Sequence, residues 1–208
     1  LGWRGSVVRL AARDRVGPWQ LAAPAELGIA DGRFRLGPLL LTGTAQERIE
    51  IGAELNRPPA EGSFRVRGDR LNLARLNPWL EGAAVAGSAS GDVRIRIPAE
   101  GPFEWAGSAR ARGSLALAQE GLRLEAAALS ITGDERGMNA GLELRLADGG
   151  SLQGSFTAPG PARFAPPETG ETALEWQGID AALLARWLPA GTGLAGRLTG
   201  RLKARLGA

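Results

Sequence analysis

Along most of this chain hydrophobic and polar residues alternate with period two, the pattern of strands with one covered face. In the longest run Val85, Gly87, Ala89, Gly91, Val93, Ile95 and Ile97 share one parity, and Ala86, Ser88, Ser90, Asp92, Arg94 and Arg96 the other. At about 3.3 Å per residue that run spans roughly 43 Å, long for a globular strand. Near the end, Leu194, Gly196, Leu198, Gly200, Leu202 and Leu206 alternate with Arg197, Thr199, Arg201, Lys203 and Arg205. Phe34 and Leu36 alternate with Arg33 and Arg35, Phe64 and Val66 with Arg65 and Arg67, and Leu142, Leu144 and Leu146 with Glu143 and Arg145. Turn signals separate the runs: Asp31-Gly32, Glu120-Gly121, Gly133 to Gly137, and Asp148-Gly149-Gly150. The apolar parity switches across Ala126-Ala127-Ala128, which predicts a β-bulge. These signals predict an antiparallel meander of roughly a dozen strands.

Two segments depart from alternation. Asp180 caps a predicted short helix over Ala181 to Leu188, stopped by Pro189, and Leu71 to Leu80 is a shorter stretch interrupted by Pro78. Both carry Trp-Leu, at Trp79-Leu80 and Trp187-Leu188, and both lead into glycine-spaced strands at Gly87/Gly91 and Gly196/Gly200. The tryptophans lie 187 − 79 = 108 residues apart, a weak repeat with units near 64–97 and 174–206. Such a repeat predicts an elongated array. Aromatic burial habits make Trp79 and Trp187 expected core anchors.

Composition removes chemistry. The 208 residues contain no histidine, cysteine or tyrosine, so there is no imidazole base, no thiol nucleophile and no ordinary zinc ligand set. No close pair of carboxylates stands out, and the expectation is a non-enzyme without catalytic, metal or cofactor residues. Gly191 to Gly196 matches G-x-G-x-x-G, but a helix signal precedes it and a strand signal follows, the reverse of a dinucleotide site. The net charge is only +3, with 25 basic and 22 acidic residues interspersed. The R-x-R pairs therefore predict a solvated outer face and no nucleic-acid partner.

The strand pattern requires one apolar face to be covered, by a sandwich, a closed barrel or a groove filled with apolar ligand. A resemblance chooses among them. Gly17-Pro-Trp19-Gln-Leu21-Ala-Ala-Pro24-Ala-Glu-Leu27, followed by Phe34-Arg-Leu36-Gly-Pro-Leu39-Leu-Leu41, is similar to the repeats of the TamB family. Leu76-Asn-Pro-Trp79-Leu80 through Gly87 and Gly91, and Leu184-Ala-Arg-Trp187-Leu188-Pro189 through Gly196 and Gly200, resemble that family's short helix followed by a G-x-x-x-G strand. The similarity runs through most of the chain and rests on the order and spacing of degenerate motifs.

The resemblance implies an all-β fold, a long twisted antiparallel sheet curled into an open hydrophobic groove (a β-taco) with one or two short helical turns. It implies that residues 1–208 are an internal piece of a larger periplasmic protein anchored in the inner membrane. Such a protein moves phospholipid between membranes or assists outer-membrane protein assembly and secretion beside a barrel partner of the TamA type. Its ligand is phospholipid or another acyl chain. The expected groove-lining residues are Phe34, Leu36, Phe64, Val66, Val85, Val93, Ile95, Ile97, Leu115, Leu117, Leu142, Leu144, Leu146, Leu194, Leu198 and Leu202. The alternative readings are a structural or adhesin-like β-solenoid and a β-sandwich interaction module.

Overall fold

The computed structural model describes residues 2–57, 60–117, 120–162, 167–182 and 194–207, with the side chains of Leu117 and Glu120 outside that description. Fourteen strands form one antiparallel sheet. They are β1 (Trp3–Val7), β2 (Ala11–Arg13), β3 (Pro18–Leu21), β4 (Ala25–Ala30), β5 (Arg33–Thr42), β6 (Arg48–Asn56) and β7 (Glu61–Asn72). They continue as β8 (Ala83–Ile97), β9 (Glu104–Leu117), β10 (Glu120–Gly133), β11 (Gly137–Leu146), β12 (Ser151–Pro159), β13 (Gly170–Asp180) and β14 (Arg197–Leu206). From β4 to β14 each strand pairs with the next, β1 lies beside β4, and the β2–β3 hairpin joins the upper end of β5. The sheet is open, with β1, β2 and β14 at its edges. Among the described residues every ladder is antiparallel, and none forms a parallel solenoid coil.

Local chemistry sets the punctuation. Asp31 and Gly32 both have positive φ (49° and 75°), the two-residue turn whose twist suits a hairpin, and it joins β4 to β5. A bulge falls beside Glu125 and Ala126, where register shifts against both β9 and β11. The parity switch predicted there therefore has its physical cause: one extra residue keeps Leu124 and Ala127 on the same face. A 3-10 segment, Leu73–Trp79, connects β7 to β8, and a tight turn at Thr44–Gln46, which the periodicity does not announce, connects β5 to β6.

The same backbone geometry recurs about 108 residues on. Asn72 Oδ1 accepts from the Ala74 amide at 3.0 Å, and Asp180 Oδ1 from the Ala182 amide at 2.9 Å (180 − 72 = 108). The bulge between Gly68 and Leu71 in the β7–β8 ladder reappears between Trp176 and Ile179 in the β13–β14 ladder. At those bulges Arg70 and Gly178 both have positive φ, 52° and 60°, and their amides donate to the Ser90 and Thr199 hydroxyls. The expected helix over Ala181 to Leu188 lies, beyond Ala182, outside the described residues, as does Trp187.

Hardly anything is buried. Among the described residues the buried hydrophobics are Ala25, Leu146, Ala158, Ala162 and Ala181. The accessible surface is 14509 Å², against about 9,000 Å² for a compact monomer of this mass. This is a single layer of sheet, not two layers enclosing a core. In place of a core, aromatic rings lie on glycines of the neighbouring strand: Trp105 on Gly133, Phe156 on Gly170 and Trp176 on Gly200. A Cβ built at Gly200 would stand 2.6 Å from the Trp176 ring, so the glycine is what lets the indole lie flat.

Candidate functional site

The ladder registers assemble the apolar residues of separate strands into continuous rows. One row runs Leu36, Ala53, Phe64, Ile95, Trp105, Gly133, Met138 and Ala158. The next runs Leu39, Ile51, Val66, Val93, Gly107, Ile131, Ala140, Phe156, Thr172 and Ala204. A third runs Leu41, Ile49, Gly68, Gly91, Ala109, Leu129, Leu142, Gly154, Leu174 and Leu202. These three rows contain no charged residue, and Thr172 is their one polar member. Phe34 and Ile97 flank the rows at one end, while Leu144, Leu146, Val85 with Leu115, and Leu198 opposite Ile179 continue them at the other. Several members remain open to solvent, among them Phe64 at 38%, Val93 at 43%, Leu129 at 47% and Leu202 at 50%.

Two of the expected residues stand apart. Leu117 pairs with Ala83 through its backbone, but its side chain lies outside the described set. Leu194 is exposed and precedes β14 instead of forming part of it. The reason is visible in the repeat. In β8 the segment Ala83 to Gly87 has β9 as its one paired strand, because β7 stops pairing at Ser88. The β13–β14 ladder likewise ends at Arg197, the counterpart of Ser88, and among the described residues no second strand pairs with β14 to carry the ladder back to Leu194.

The opposite face is a mixed-charge lattice. Register sets Glu50 against Arg67, Arg67 against Asp92, Arg35 against Glu54 and Arg48 against Asp69. Arg96 reaches Glu104 at 3.3 Å and Arg205 reaches Glu171 at 2.9 Å. Arg197 donates to the Asp148 carbonyl at 2.8 Å and the Gly178 carbonyl at 3.2 Å. Open hollows lie between these polar side chains, one of about 1140 Å³ bordered by Glu54, Arg65, Arg96, Glu104 and Asp134. Phe64, Ile95 and Trp105 also line it. Among the described residues no three potential metal ligands gather.

Among the described residues one charged side chain is fully buried. Glu47, 0% exposed, sits after the β5–β6 turn and accepts from Arg75 Nε at 2.9 Å and Nη2 at 2.6 Å, from the Asn72 amide at 2.7 Å and from Thr44 Oγ1 at 3.1 Å. Arg75 also bonds Asp14 of the β2–β3 turn and lies 4.4 Å over the Trp19 ring. The Arg75 hydrogen bonds hold the Glu47 carboxyl below its usual range despite burial. Partial burial opposes ionisation of Asp14, but the Gly17 and Val16 amides, the Arg75 guanidinium and the Trp19 indole outweigh it and lower its pKa to about 2. This clasp ties three turns at one end of the sheet. Alternation did not nominate it, because its members sit in turns, where parity carries no information.

Trp79, expected as a core anchor, is 75% exposed. Its 3-10 segment is fixed by the Asn72 cap, the Arg75 clasp and the Val85 amide on Asn77 Oδ1, and the single-layer sheet has no second layer to receive the ring.

No family model, curated protein or solved structure matches this chain. Fold and site geometry therefore carry the functional reading.

Proposed function

We propose that this chain is a non-catalytic stretch of conduit whose sheet shields acyl chains, as part of an inner-membrane-anchored periplasmic protein of the TamB kind. In this reading phospholipid, or the apolar side of a nascent outer-membrane strand delivered to a TamA-type barrel, lies along the uncharged rows. The supporting observation is the combination of a continuous apolar face with a surface of 14509 Å² and almost no buried hydrophobic side chain. A single layer of this kind exposes the side chains that a sandwich would bury against a second sheet. Every 100 Å² or so of that face covered by hydrocarbon is worth about 2.5 kcal/mol before association costs.

The test has two arms. Organic extraction of protein purified without detergent, followed by mass spectrometry, is expected to recover phospholipid. Photo-crosslinking residues placed singly at positions 92 to 97 in the membrane-anchored parent are expected to give lipid adducts at 93, 95 and 97 and none at 92, 94 and 96. Equal labelling at both parities refutes the reading, as does the absence of both lipid and adducts. Adducts to outer-membrane proteins at the odd positions identify the strand as cargo in place of the lipid.

A further inference from the structure

Register makes one exception to the charge lattice of the polar face. Where two charged residues meet across a ladder they are of opposite sign, as with Arg48 and Asp69, Arg67 and Asp92, and Glu175 and Arg201. Among the described residues Arg65 and Arg94 are the one like-charged pair. Like charges directly opposite destabilise a sheet, and no acid in their row relieves this pair. The row continues through Gly52 on one side and Ala106 on the other. Nothing stands within 4 Å of a Cβ built at Gly52.

Beside the pair lies an open hollow of about 340 Å³, walled by Arg65, Arg67, Arg94 and Arg110 and by Asp69 and Asp92. Its carboxylates are already engaged. Asp92 accepts from Ser108 Oγ at 3.1 Å on one oxygen and pairs with Arg94 Nε at 3.2 Å through the other. Asp69 accepts from Ser90 Oγ at 3.0 Å. Among the described residues the guanidinium groups of Arg65, Arg67 and Arg110 make no hydrogen bond or ion pair, although Glu50 lies opposite Arg67. Four cations against two acids leave the hollow a surplus of two positive charges.

We propose that this hollow binds a phosphate monoester dianion. Guanidinium forks match phosphate oxygens, and a phosphate monoester carries close to two negative charges at neutral pH. Bound between Arg65 and Arg94, it converts the like-charged pair into two attractive contacts, and Arg67 and Arg110 supply further donors. The site lies on the face opposite the uncharged rows, so the inference holds whether or not acyl chains cover those rows.

The probe is methyl phosphate, titrated calorimetrically at low ionic strength into the full 208-residue chain. Saturable binding is expected, weakened about tenfold by Arg65→Gln/Arg110→Gln, which removes two of the four charged forks. Arg4→Gln/Arg33→Gln makes the same charge change at exposed positions elsewhere on the sheet and should leave binding nearly unchanged. Dimethyl phosphate, a monoanion, should bind about threefold more weakly or worse, because half the charge is gone. Arg65→Gln alone removes the like-charged pair, so in phosphate-free buffer it should melt no lower than the wild type. Vesicles of phosphatidylcholine with and without phosphatidic acid distinguish the sources of the group. A gain in co-sedimentation with phosphatidic acid that Arg65→Gln/Arg110→Gln loses assigns it to a lipid headgroup, and methyl phosphate binding without such a gain assigns it to a soluble ester. Equal weakening by the two double variants overturns the inference. So do indifference between methyl and dimethyl phosphate, a lower melting point for Arg65→Gln, and failure of methyl phosphate to bind.

Discussion

Replacing Arg75 with methionine tests whether the buried clasp holds one end of the sheet. The substitution keeps much of the side-chain volume over Trp19 and removes two hydrogen bonds to Glu47, at 2.6 and 2.9 Å. Glu47 is 0% exposed, so the variant leaves a buried carboxylate with only the Asn72 amide and the Thr44 hydroxyl as donors. Two charge-assisted bonds at roughly 1.5–3 kcal/mol each, and the cost of breaking a buried pair, both lead to a loss of about 3–5 kcal/mol. The lost contact with Asp14, which is 41% exposed, adds little. With a urea m value near 2 kcal/mol per M, the midpoint falls by about 2 M. Far-ultraviolet circular dichroism and tryptophan fluorescence read the transition at pH 8 and at pH 5. In the variant, burial without the guanidinium raises the folded pKa of Glu47, so the loss shrinks as pH falls towards that pKa. The double variant Arg75→Met/Glu47→Gln removes the buried charge while keeping an acceptor for the Asn72 amide, and should recover at least half the loss. A loss under 1 kcal/mol, a loss equal at both pH values, or a double variant no better than the single one refutes the reasoning.

Acid should loosen the wild-type clasp. Asp14, at about 2, and Glu47 both have folded pKa values below their unfolded ones, so their stabilisation is complete above about pH 4–5 and is lost as pH falls towards 2. Hydrogen exchange of the β2–β3 hairpin followed from pH 5 to pH 2.5 checks this, with protection expected to fall along that range. Trp79→Ala should change stability by no more than about 0.5 kcal/mol, as for a surface site, because the ring is 75% exposed. A thermal melt showing a core-like loss of about 3–5 kcal/mol would instead place the ring in a packed contact.

The sequence by itself determined the alternating strands, the faces they present and several of the turns between them. Alternation at Val85 to Ile97 and Phe64 to Val66 is a one-residue signal, and a strand converts it directly into a face, because successive side chains point to opposite sides. The Asp31-Gly32 turn and the bulge near Ala126 were legible for the same local reason. Tertiary structure alone decided what lies against what. Register brought Leu36, Phe64, Ile95 and Met138 into one row, and period two is the same whether that row meets a second sheet or solvent. The exposure of Trp79 follows from the missing second layer, and Leu194 lies before the end of the β13–β14 ladder at Arg197. The Asp14–Arg75–Glu47 clasp joins residues up to 61 positions apart in three turns. Such contacts depend on where the strand ends are carried by the sheet, and no local pattern of residues encodes that.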